Sequence, residues 1–135
     1  MSFKKDKKKL VSRLAVIVAH IYKLKHYLKY SEGGGSWLET IQRESMDAME
    51  ILLNQGKLRS EFIESLINAE VGTNILENVW KEAVKLVIKD LSKDIKIEKR
   101  DFPESIPIDI KCELIFCLFF PKEIRGGYKR TYGII

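Results

Sequence analysis

This chain has little of what holds small stapled or metal-bound folds together: 135 residues carry two cysteines, two histidines and three prolines. Cys112 and Cys117 lie five positions apart in a predicted helix, a spacing that does not favour a disulfide, and two thiols make no disulfide framework. His20 and His26 fall on different sides of a helix, and no CxxC or carboxylate motif completes a shell around either, so no metal site and no cofactor are expected. The longest apolar runs, 14–19 and 114–120, fall far short of the roughly 20 residues a membrane helix needs. The basic opening leads into a helix interrupted by His20, Lys23 and Lys25 with no small-residue cleavage site, which excludes a secretory signal as the reading. Gly33-Gly34-Gly35 lacks the preceding strand and the Lys-Ser or Lys-Thr pair of a phosphate loop. Free thiols and the absence of a leader pattern place the expectation in the cytoplasm.

What is present is helical periodicity. Leu10, Leu14, Ile17, Ile21, Leu24 and Leu28 recur at spacings of four and three, so one amphipathic helix is predicted over 7–30, with its aliphatic stripe inward. All three prolines fall after position 102, so none interrupts the chain before it. A second helix is predicted after Ser36-Trp37-Leu38-Glu39, a capping-box pattern, with Leu38, Ile41, Ser45, Met49 and Leu52 buried and a stop at Asn54-Gln55-Gly56. A third, over 60–70, shows Phe62, Ile63, Leu66 and Ile67. The fourth buries Leu76, Val79, Trp80, Ala83, Val87 and Leu91 beneath an outer line of Lys81, Lys85 and Lys89. Residues 92–99 fit either a helix end or a short extended piece. The connector Phe102-Pro103-Glu104-Ser105-Ile106-Pro107 is stiffened by its prolines, and Asp109 reads as the cap of a fifth helix over 110–119. Its stretch 114–120 is apolar all round, which requires either full enclosure or an interface on one side. The expected architecture is all-α, about five helices in an antiparallel bundle-like domain over 1–121, followed by a basic tail over 122–135.

Charge is segmented. Residues 1–30 carry a net +8, residues 31–82 a net −6 and the remainder +3, for the total of +5. The basic first helix either faces a polyanion such as RNA or neutralises the acidic helices it packs against.

Arg13, His20 and Tyr27, seven apart, align at the border of the aliphatic stripe, with Lys23 nearby. A cation, a titratable ring and a phenol in line form a candidate binding strip for a protein partner or a nucleic acid. Tyr22, Tyr27 and Tyr30 interleave with Lys23, Lys25, His26 and Lys29, the mixture that stacking plus phosphate contact uses, and equally the mixture of a helix boundary. Trp37 and Trp80 read as hydrophobic anchors.

Arg13 and His20 also resemble the Arg-x6-His element of the higher-eukaryote and prokaryote nucleotide-binding (HEPN) ribonucleases, which lies on a helix of an all-α domain. That resemblance implies a metal-independent ribonuclease acting as a dimer, with Arg13 holding the scissile phosphate and His20 moving the proton. About 10 Å separates two such positions along one helix, so a second protomer would complete the site. The polar residue usual between the two in that family is absent from 14–19.

A wider set of residues resembles the domain of unknown function family 29. Ser12-Arg13-Leu14, His20-Ile21-Tyr22-Lys23, Ser36-Trp37 with Thr40-Ile41, Trp80 with Ala83, Phe102-Pro103-Glu104 and Pro107 follow its order over roughly 8–121. The chain lacks the aspartate-phenylalanine-tyrosine start, and Ser105-Ile106-Pro107 stands where a cysteine-proline pair is common. The resemblance implies a compact all-helical protein and carries no activity with it.

Overall fold

The computed structural model describes residues 3–30, 35–54 and 73–132. Five α-helices and no strand occur among them: α1 (Phe3–His26), α2 (Gly35–Asn54), α3 (Thr73–Leu91), α4 (Ile108–Phe119) and α5 (Ile124–Tyr132). Single 3₁₀ turns at Leu28–Tyr30, Lys99–Asp101 and Pro121–Glu123 join or end them. The helix expected over 60–70, the glycine run at 33–34 and the stop at 55–56 lie outside the described residues.

The first helix is the hub, packing against α2, α3 and α4, while α2 also packs against α4 and α5. A single inward stripe does not describe it. Leu14, Ala15, Ile17, Val18, Ala19, Ile21, Tyr22, Lys23 and Leu24 are all buried, because three helices surround this segment rather than one or two. Leu28 lies in the 3₁₀ turn, half-buried. Helix α3 follows most of its expected pattern, with Val79, Trp80, Ala83, Val87 and Leu91 buried, Leu76 half-buried, and Lys81, Lys85 and Lys89 exposed. In α2, Leu38, Ile41, Ser45 and Met49 are buried, and the Ser45 hydroxyl donates to the Ile41 carbonyl at 2.6 Å, which removes the cost of an unpaired buried hydroxyl.

Two caps differ from expectation. Helix α2 starts at Gly35, so Ser36 lies inside its first turn. Helix α4 starts at Ile108 with Pro107 in the cap position, so Asp109 lies inside the first turn, where its carboxylate accepts from Lys25 at 2.8 Å and from the backbone N–H groups of Asp109 and Ile110. Residues 92–95 form a turn closing α3, and Ile97 and Phe102 drop back into the core. The segment expected as a basic tail contains α5, whose Ile124 and Tyr128 are buried. Isoleucine and tyrosine four apart place two apolar groups on one helix face, enough to dock a short helix on α2. Among the described residues no helix is long and apolar enough to cross a membrane.

Candidate functional site

The four residues singled out on α1 occupy three separate environments. Arg13 reaches across to α2, its Nη1 2.7 Å from Glu44 Oε2 and 3.4 Å from Asp47 Oδ2. The hydrogen bond and charge of Glu44 raise the guanidinium pKa further. Beside this pair runs an open groove of about 360 Å³ lined by Lys8, Lys9, Ser12, Arg13, Val16 and Glu44.

His20, two turns on, is half-buried. Its Nδ1 lies 2.9 Å from the Val16 carbonyl, which assigns the proton to that nitrogen in the neutral ring. The ring meets Trp37 edge-on, with centroids 6.3 Å apart. Burial, aided by the neighbouring Lys23 charge, lowers its pKa from 6.5 to about 4. At neutral pH this imidazole carries no charge.

Lys23 is 2 % exposed. Its Nζ donates to Asp90 Oδ2 of α3 at 2.7 Å and sits 4.6 Å from the centre of the Trp37 ring on α2. A buried ammonium needs a carboxylate and gains from an aromatic face, and here α3 supplies the first and α2 the second. Tyr27 belongs to an aromatic cluster with Tyr22, His26 and Tyr30, at centroid distances of 6.1 to 6.4 Å. Burial raises the phenol pKa, so it stays protonated at neutral pH.

Arg13, His20, Lys23 and Tyr27 therefore do not line one continuous surface, because Lys23 between them is enclosed. Sequence reading missed the acidic partners Glu44, Asp47 and Asp90, and the pairing of Lys25 with both Asp109 and Glu113 at 2.8 and 2.6 Å. These contacts span 31 positions or more, and no local spacing announces them. No group of three metal-ligating side chains occurs among the described residues. Cys112 is exposed and Cys117 buried, both as free thiols.

A different surface stands out on α4. Ile110, Leu114, Cys117 and Leu118 face the core, yet Ile108, Phe116 and Phe120 remain 80 %, 38 % and 53 % exposed. With exposed Cys112 and half-buried Ile115 and Phe119, the outward side of this helix is mostly apolar, with Asp109, held by Lys25, as its exposed carboxylate. The Phe116 and Phe120 rings lie 5.6 Å apart.

The residues that carried the family likeness converge in two places. His20, Lys23 and Trp37 meet where α1 crosses α2. Tyr22 contacts both Trp80 and Phe102, at 5.6 and 5.4 Å, and the Trp80 indole donates to the Pro103 carbonyl at 2.9 Å. A family model described as Domain of unknown function DUF29 matches residues 2–116. No curated protein and no solved structure matches the chain.

Proposed function

Because this chain belongs to the DUF29 family, which by its description carries no assigned function, we propose a role from its own geometry: it is a non-catalytic helical interaction domain that docks a protein through the outward side of α4. The observation that carries this reading is the exposed line of apolar groups along α4 and at its end, interrupted by Asp109 alone among the exposed positions from 108 to 120. The inner side of α4 is used by the core, and Ile108, Cys112, Phe116 and Phe120 are left in water. A soluble domain keeps such a patch where a partner covers it. An apolar helix side suits another helix laid along it, as in helix-in-groove recognition.

The α1 groups support the same choice. Catalysis on a phosphodiester needs a guanidinium able to take up phosphate and an imidazole poised near neutral pH. Arg13 is held by two carboxylates, and His20 has a pKa of about 4. Free thiols at Cys112 and Cys117 suit a reducing compartment such as the cytoplasm.

A photo-crosslinking phenylalanine analogue at position 116, expressed in the native cell, tests the reading. A discrete protein adduct is expected from position 116 and none from the same analogue at Lys85, which is exposed on α3. No adduct at 116, or adducts to RNA, would overturn it.

A further inference from the structure

We propose that the groove beside Arg13, between α1 and α2, binds a small phosphate monoester as its dianion through Lys8, Lys9 and Ser12. The site uses no residue of α4 and stands or falls apart from the docking reading. Its volume is about 360 Å³, and Arg13, Val16 and Glu44 complete the lining. Pockets for small molecules start near 300 Å³, so a phosphoryl group fits here with a small organic carrier beside it.

Charge decides the sign of the ligand. Arg13 Nη1 is held by Glu44 and Asp47 at 2.7 and 3.4 Å, and Arg43 Nη2 lies 3.8 Å from the other Glu44 oxygen. Two guanidiniums and two carboxylates cancel, so this wall is neutral and fixed in place. Lys8 and Lys9 are exposed and have no ion-pair partner among the described residues. The groove therefore keeps two positive charges without a counter-charge.

The polar groups agree with the charges. Thr40, Ser45 and Ser92 each donate to a carbonyl of the preceding turn, the common fate of a helical hydroxyl, whereas Ser12 makes no hydrogen bond among the described residues. Ser12 follows Lys8 by four positions and Lys9 by three, so the three side chains rise from one patch of α1, with Cβ atoms about 6 Å apart. Glu44, the acceptor on the wall, already has both oxygens facing guanidiniums. The polar groups left open are donors, which suits an anion that accepts several bonds at once. A phosphate monoester brings about two negative charges at neutral pH and three acceptor oxygens. A diester brings one charge and leaves one lysine uncompensated.

The full chain, labelled with nitrogen-15, is titrated with methyl phosphate and with dimethyl phosphate at constant ionic strength, above the second phosphate pKa of about 6. Amide shifts over residues 8–13 are followed. With methyl phosphate they are expected to saturate in the millimolar range, and dimethyl phosphate should bind at least about threefold more weakly for its missing charge. Lys8→Ala/Lys9→Ala should weaken the monoester about tenfold and Ser12→Ala about threefold. Lys85→Ala/Lys89→Ala, on the exposed ridge of α3, should leave the midpoint unchanged. The amide spectrum without ligand checks that each variant folds, and the comparison of the two phosphates needs no variant at all. Shifts that fail to saturate by about 50 mM, equal binding of the diester, or shifts centred on α3 would overturn the proposal.

Discussion

Lys23 shows how one residue can be read correctly by type and wrongly by place. A lysine on the first helix counts toward a basic surface, yet this one is buried between α1, α2 and α3 with Asp90 and Trp37 as its partners. Removing one member of a buried pair strands the other, which costs about 3–5 kcal/mol in a dry site. Asp90→Ala strands the Lys23 ammonium, which is 2 % exposed, and is expected to cost about 3 kcal/mol. Lys23→Met keeps the stem packed on Trp37 and removes the stranded charge, so it should stay within about 1 kcal/mol of wild type. In the Lys23→Met background Asp90→Ala should cost nothing further, and urea unfolding of the four proteins checks the cycle.

His20 gives a pH prediction. In the folded chain its pKa is about 4, against 6.5 when exposed, so between these values the unfolded chain binds the extra proton. Its contribution is intact above pH 6.5 and is lost as pH falls from there toward 4. The urea midpoint should therefore drop across pH 7 to 4.5, and His20→Phe should flatten that part of the profile. An unchanged slope in the variant would place the titration elsewhere.

At the scale of elements, periodicity identified the helices well and their ends less well. The buried line of α3 and its lysine ridge were legible because a repeat of 3.6 residues sorts apolar from charged positions locally. Asp109 serves the start of α4 as expected but from inside the first turn rather than from the cap position, and its pairing with Lys25 of α1, 84 positions away, leaves no local signal. Helix α5 was hidden by Gly126 and Gly127, residues that weaken helix formation, yet Ile124 and Tyr128 anchor it on α2. It is expected to contribute to stability. Tyr128→Ala removes a ring that is 4 % exposed and should cost about 3 kcal/mol, measured by thermal or urea unfolding. A cost near zero would mean that α5 is a loose appendage.

For the whole molecule, part of the segmented charge resolves into contacts between helices. Arg13, Lys23 and Lys25 of α1 are bound to carboxylates of α2, α3 and α4 respectively. Cations already held this way release few counterions to a polyanion. Their contribution to RNA affinity should accordingly be small, and Arg13→Ala should leave the slope of log K against log salt unchanged. Filter binding across a salt series checks this. RNA incubated in EDTA should stay intact with wild type and with His20→Ala alike; cleavage lost in the variant would restore the two-protomer ribonuclease reading.

The sequence by itself determined the all-helical class, most of the core of α2 and α3, and the largely apolar character of α4, because these depend on residue spacing within one turn or two. Only the tertiary structure decided that α1 is enclosed by three helices, that its cations are spent on Glu44, Asp90, Asp109 and Glu113, and that α4 keeps a mostly apolar side in water. Those outcomes depend on which helix lies beside which, and partners 31 or more residues apart leave no trace in local periodicity.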